Sequence, residues 1–387
     1  MLSGVLLART QTMTTLPLIT VMPPLPFKPY VSWSSRSRLP FPLEEPNCRI
    51  YSVARHGLYM GIRALGLKPG DEILVPAYNQ GSEIEALVRA GMVCRFYEAG
   101  QGRFLEQEER NLEALLSPRT RAFYLIHYLG LPQDAARWRA WCDKHGLLLI
   151  EDAAQAWLSL RDGTPVGTHG DLSIFCLYKT FGLPDGAAVI SNPPPQPPGS
   201  KPNIGGVKRA AVRHAAYLSQ RWGWLAGLLR RLRVPEKHAS KQDDKYASGE
   251  EFALGDPQRA VSTITKYLLP RATYVSVQEA RAANYTFLLE RLERFVPKQF
   301  AHPPEGASPF AFPIQSDPKK QLLERLRRNG IIASDFWAGA HPLVPMADFT
   351  RAATLRKSVI DLPVHQDLGA RELEWIVEVV LGGLGSS

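Results

Sequence analysis

Residues 149–190 read LIEDAAQAWLSLRDGTPVGTHGDLSIFCLYKTFGLPDGAAVI. Asp152 closes one apolar run, LLLIED, and Lys179 closes a second, LSIFCLYK. Apolar runs of this length, bounded by polar and glycine residues, predict two buried strands. A glycine-containing turn follows the lysine. A carboxylate and an amine at two strand ends meet the needs of one cofactor, pyridoxal phosphate. The amine forms a Schiff base with its aldehyde, and the carboxylate keeps the pyridine nitrogen protonated so that the ring takes up electrons. The two residues lie 179 − 152 = 27 positions apart, room for a turn, a loop and one strand. Many α/β proteins end strands in Asp or Lys without such chemistry, so the pair alone leaves both readings open.

Outward from this stretch, strand and helix patterns alternate over residues 51–190. A helix over Gly57–Leu65 stops at Gly66, and KPGDEILVP turns into a buried strand. A second helix, Glu83–Ala90, stops at Gly91 before the strand MVCRFYEA. TRAFYLIHYLG predicts a strand ending at His127, followed by the helix ARWRAWCDKHG. Such alternation predicts an α/β fold with a mostly parallel sheet flanked by helices. Ligands in such sheets gather at the carboxyl ends of the strands, where Asp152 and His127 both lie. Beyond Ile190 the text changes to a Pro/Gly loop, SNPPPQPPGSKPNIGG, then a helical stretch over Val207–Val234.

Composition excludes several classes. The 387 residues suffice for one large α/β domain and a smaller one. No apolar run approaches the roughly 18 residues of a spanning helix, so no transmembrane segment is expected. Four scattered cysteines (Cys48, Cys94, Cys142 and Cys176) contain no CxxC pair, which argues against a zinc site or disulfide framework and fits a cytoplasmic location. No metal site is expected. The net charge of +9 suits an anionic partner. The basic residues are dispersed without a nucleic-acid recognition motif, whereas the pyrophosphate of a nucleotide-linked sugar is an equally good anion. The proline-rich N-terminus lacks a signal-peptide layout, and Met13 and Met22 offer alternative starts. Three divisions are expected: a partly disordered extension or arm over 1–47, a large cofactor-binding domain over 48–250, and linking helices with a small C-terminal domain over 251–387.

EDAAQA, the loop glycines Gly163, Gly167 and Gly170, the apolar strand, Lys179 and then DGA resemble the DegT/StrS-type sugar aminotransferases. Asp185 follows the lysine at that family's six-residue spacing, and the likeness runs from about Tyr51 to the C-terminus, including an LPxH tag in DLPVHQD. The resemblance implies the type I fold of pyridoxal-phosphate-dependent transferases, with a smaller C-terminal α+β domain. It also implies a homodimer, an amino donor that is glutamate, and an acceptor that is a keto group on a nucleotide-linked sugar, in the service of polysaccharide biosynthesis.

Residue by residue, the resemblance makes Lys179 the Schiff-base lysine and proton-transfer base, Asp152 the partner of the pyridine nitrogen, and Gln155 a hydrogen-bond partner of the cofactor's phenolic oxygen. Asp152 also fits an ordinary helix cap. Aligning on the ALG that follows puts Ala54 and Arg55 where the family has its phosphate-binding Gly-Thr at a helix N-terminus. Arg55 adds a charge, and His56 sits at the same helix end. Cys176 replaces a serine that touches the phosphate, and a thiol is the poorer donor. VPAYNQG offers Tyr78 as the group stacked on the ring, with Asn79 or Gln80 near its face. The family's asparagine donated by the neighbouring subunit has no match near Phe252–Gln258. Residues 221–233 carry tryptophans, leucines and arginines at amphipathic spacing, which fits a packed insertion, a lid or a weak membrane-surface contact. A catalytically altered relative with a binding or regulatory role, or a sugar dehydratase, is the alternative. The retained Lys179 argues against the dehydratase, in which the resemblance puts histidine.

Overall fold

The expected apolar runs form one seven-stranded sheet. A computed structural model describes residues 18–31, 38–201, 203, 205–222, 250–272 and 276–384. The sheet strands are β1 (Cys48–Tyr51), β2 (Glu72–Pro76), β3 (Val93–Tyr97), β4 (Thr120–Ile126), β5 (Leu148–Asp152), β6 (Leu172–Cys176) and β7 (Ala187–Ser191). Their order is β1-β7-β6-β5-β4-β2-β3. β7 runs antiparallel to both of its neighbours, and the pairs from β6 across to β3 are parallel. The inner strands β2 and β6 are buried at every position, as a sheet covered on both faces requires.

Flanking helices begin and end where the local chemistry dictates. In the helix Ala135–His145, Asp134 caps the first turn by accepting from Arg137 N at 3.0 Å, and Gly146 ends it with φ of 64°. The helix Ala54–Ala64 lies so close to the sheet that a Cβ on Gly57 would stand 2.1 Å from Val189 Cγ2. That helix starts three residues earlier than the pattern predicts, and the next spans Ser82–Arg89 rather than Glu83–Ala90. The larger difference concerns Lys179. β6 ends at Cys176, and the lysine sits on a short helical turn, Leu177–Thr180, closed by Phe181 N donating to Leu177 O at 3.1 Å.

A three-stranded antiparallel sheet follows in the C-terminal part: β8 (Ala311–Gln315), β9 (Ser334–Asp335) and β10 (Val359–Pro363), with β10 in the middle. The helices Val277–Leu292, Lys319–Arg328 and Ala370–Leu384 belong to this half of the chain. Near the N-terminus, Ile19–Thr20 pairs in parallel with Ile331–Ile332. The predicted helix over Val207–Val234 is seen as Gly206–Arg221; the rest of the 221–233 stretch after Trp222 lies outside the described residues. No helix among the described residues is long and apolar enough to cross a membrane.

Asp185, in the turn after the lysine, is wholly buried. It accepts hydrogen bonds from Ser262 N, from Ser262 Oγ at 2.7 Å and from Thr265 Oγ1 at 2.6 Å. Asn203 Nδ2 at 3.4 Å and Arg209 at 3.3 Å complete its surroundings. One carboxylate thereby fastens the start of the helix Thr263–Ala272 to the turn between β6 and β7.

Candidate active site

β5 and β6 are neighbours, so their carboxyl ends open into one cavity of about 360 Å³. Asp152, Gln155, Cys176 and Lys179 line it from the sheet, and Ala54 and Arg55 line it from a helix N-terminus. Phe310, Asp335, Trp337 and Asp361 close it from the C-terminal part.

Asp152 is the last residue of β5 and is 8% exposed. Its Oδ2 accepts from the Tyr124 hydroxyl at 2.7 Å and its Oδ1 from Ala154 N at 2.9 Å. The residues after it form turns, not the helix that a capping role needs. Burial pushes this carboxyl above the usual range, while Tyr124, Ala154 N and the Lys179 charge pull it back. A further cation against the carboxylate would favour the ionised form again. Lys179 is half-buried, with its Nζ 5.5 Å from the centre of the Phe310 ring. Gln155 faces the cavity while its Oε1 accepts from Leu129 N at 2.7 Å, which fixes the side chain.

At the helix N-terminus the Cys176 thiol accepts from Ala54 N–H and interacts with the Tyr178 hydroxyl; burial raises its pKa. The Arg55 guanidinium donates to Ala253 O at 2.8 Å and Glu251 O at 3.4 Å, so part of its donor set is turned away from the cavity. His56 does not line the cavity. Its Nε2 meets Leu254 O at 2.7 Å, so that nitrogen carries the hydrogen, and Nδ1 is left to accept from Ser52 Oγ at 3.0 Å. Burial holds the imidazole pKa below its ordinary value. The segment in which no subunit-bridging asparagine was found thus takes up Arg55 and His56 through its carbonyls.

Tyr78 is also placed off the cavity wall. Its ring is fully buried, edge-on to Phe336 at 5.4 Å, tilted against Trp337 at 5.1 Å and stacked on Tyr128 at 5.9 Å. Asn79 is buried behind it, with Nδ2 donating to Pro76 O. Gln80 and Trp337 reach the cavity instead.

Among the lining residues that escaped the sequence reading are Glu83, Trp337 and Asp361. Glu83 is buried in the first turn of its helix and accepts from Gln80 N at 2.8 Å. Burial, and then the Asp152 charge, raise its carboxyl. The spacing Gln80-x-x-Glu83 carries the signal of a helix start, but not that the carboxyl faces a cavity. Trp337 and Asp361 gave no signal at all. Tyr124 stands behind Asp152; it lies two positions before Ile126, the register partner of Asp152, so only strand pairing places it on the same face.

A mostly parallel sheet with one reversed strand, bearing an acid and a lysine over one cavity, has the type I fold of pyridoxal-phosphate-dependent transferases. Residues 45–196 match the model of the DegT/DnrJ/EryC1/StrS aminotransferase family. GDP-perosamine synthase of Vibrio cholerae is 34% identical over 137 residues, 35% of this chain and 37% of that protein. The chain therefore spans little more than a third of that relative's length. The dTDP-3-amino-3,4,6-trideoxy-alpha-D-glucose transaminase of Streptomyces venezuelae is 25% identical over 342 residues, covering 84% of this chain and 79% of that one. A solved structure of a candidate sugar aminotransferase from Streptococcus pneumoniae, in its PLP form, superposes with a TM-score of 0.65 at 16% identity, over 96% of this chain and 99% of that one.

Proposed function

We propose that this chain is a pyridoxal-phosphate-dependent aminotransferase that moves an amino group from glutamate to a keto carbon of a nucleotide-linked sugar. The observation that carries this reading is the buried Asp152 carboxylate, hydrogen-bonded at both oxygens and facing the same cavity as Lys179. Such a carboxylate is costly unless a cation meets it. The protonated nitrogen of a pyridine ring is a cation of the right shape. When bound, pyridoxal phosphate supplies an aldehyde for an amine and a ring that stores an electron pair.

The chain's own groups take the remaining tasks. Lys179 would hold the aldehyde end and would serve as the base that carries a proton to and from the substrate carbon. Asp152, oriented by Tyr124, holds a proton on the ring nitrogen. Gln155, fixed by its bond to Leu129 N, would meet the ring oxygen. The N-terminus of the helix Ala54–Ala64, with Arg55, offers donors to the phosphate. Phe310 and Trp337 exclude water from the other wall. A homodimer working in the cytoplasm goes with this reading, supported by the family of residues 45–196 and by four cysteines that are all free thiols. The net charge of +9 suits a diphosphate-bearing substrate.

The test is a titration of the purified protein with pyridoxal phosphate. An absorbance band of the lysine-bound cofactor is expected in the wild type, absent in Lys179→Ala and bleached by glutamate to the amine form. Absence of any band in the wild type refutes the reading. The partly committed Arg55 and the Cys176 thiol favour one second reading, a relative that holds the cofactor without turning it over. A band that no amino donor changes selects it.

A further inference from the structure

Asp361 sits in the middle of β10, the central strand of the small sheet, with Pro313 as its partner on one side and Ser334 on the other. It is 2% exposed, and its Oδ1 has no hydrogen-bond partner among the described residues. Its side chain lines the cavity that holds Lys179. Lys319 Nζ is committed elsewhere, pairing with Asp335 and donating to Arg356 O at 2.6 Å, and Lys179 is the cation that shares the cavity with Asp361. A buried carboxyl oxygen left without a donor costs on the order of 1–3 kcal/mol, so a site that keeps one is built for a donor brought in by a ligand. Trp337, on the loop after β9, adds an aromatic wall to the same side.

The two substrates of the proposed reaction differ in what they bring to this wall. Glutamate carries two carboxylates, which bring no donor to a carboxyl wall, and its one donor group is the amine that reacts. A sugar brings hydroxyl donors and an apolar C–H face. Resting on the aminotransferase reading above, we infer that Asp361 receives a ring hydroxyl of the keto-sugar acceptor, with Trp337 packed against the sugar's C–H face. The Asp361 wall then selects the acceptor and leaves the donor half-reaction untouched.

The experiment compares kcat/KM for each substrate in the cofactor-loaded full chain. The donor is glutamate. The acceptors are UDP-N-acetyl-3-dehydroglucosamine and the UDP-, GDP- and dTDP-linked 4-keto-6-deoxyhexoses. Asp361→Ala is expected to lower kcat/KM for the sugar by about 10-fold, the loss of one buried hydrogen bond. The value for glutamate should stay within about twofold, and Asp361→Asn, which keeps an acceptor oxygen, should recover part of the loss. Deleting the recognised hydroxyl from the acceptor should abolish the difference between wild type and Asp361→Ala. An unchanged sugar value, or an equal fall for both substrates, overturns the inference while leaving the aminotransferase reading in place. A wild type that glutamate does not convert refutes that reading, and the inference with it. A wild type that glutamate converts but that aminates none of these sugars refutes the acceptor class and the inference together.

Discussion

Arg281, on the helix Val277–Leu292, donates through one terminal nitrogen to the backbone oxygens of Lys179 at 3.1 Å and Thr180 at 2.9 Å. The side chain is 1% exposed. Its other nitrogens reach Pro309 O and Gln366 Oε1, and Gln366 in turn donates to Thr180 O. The short turn bearing the lysine has few bonds of its own, so a guanidinium from the C-terminal part of the chain sets where it stands.

Arg281→Met should therefore lower stability by on the order of 3–5 kcal/mol, because several buried carbonyls lose their donor together. It should also weaken cofactor binding beyond what the loss of stability explains. Denaturant melts with and without pyridoxal phosphate check this. A variant destabilised equally in both conditions would keep its full cofactor affinity and contradict the positioning role.

Tyr124→Phe removes the donor to Asp152 Oδ2. That hydrogen bond lowers the carboxyl's pKa, so its loss raises it further. Less carboxylate at a given pH means a weaker hold on the ring nitrogen, and cofactor affinity should fall about tenfold at neutral pH. The deficit should shrink as pH rises and Asp152 ionises, which a series of cofactor titrations from acid to alkaline pH reads directly.

Cys176→Ser replaces a weak sulfur group with a hydroxyl beside the N–H of Ala54 and the Tyr178 hydroxyl. One neutral hydrogen bond gained corresponds to roughly three- to tenfold tighter cofactor binding. Equilibrium dialysis at low cofactor concentration measures it, and unchanged affinity would show that the phosphate lies elsewhere.

Asp367→Asn should stabilise the chain at neutral pH. Burial pushes the Asp367 carboxyl up to about 6 from its ordinary 3.8, against the pull of Arg281 and Arg221. Between those values the folded chain keeps a proton that the unfolded chain has released, so wild-type stability falls as pH rises through that window. The gain in the variant should be absent below about pH 4 and full above about pH 6, at no more than about 3 kcal/mol. Melting temperatures of both proteins from pH 3.5 to 7.5 test this.

The alternation over residues 51–190 was legible because strands buried on both faces are unbroken apolar runs, and Asp152 stands where such a run stops. The lysine turn was not, since LSIFCLYK carries no break at Cys176, and the turn beyond it is held by Arg281 from a helix distant in sequence. Tyr78 shows the same limit. VPAYNQG places it near the cavity, but its ring direction is decided by Phe336 and Trp337, far away in sequence. Asp361 is a lone acid in a run that reads as a core strand, and only the antiparallel register of the small sheet turns it toward Lys179. Residues whose role depends on backbone path were visible; those whose role depends on a distant partner were hidden.

The carboxylate of Asp185 has a topological consequence. Asn203 and Ser262 both end on it, so the polypeptide leaves and returns at a single anchored point beside the lysine turn. The helix between those two residues is fastened elsewhere as well, with Arg213 donating to Pro23 O at 2.8 Å and Gln220 Nε2 to Asp367 O at 2.7 Å. Removing the Asp185 carboxylate would thus release two sequence-distant segments at once, the one at Asn203 and the one that opens the helix Thr263–Ala272.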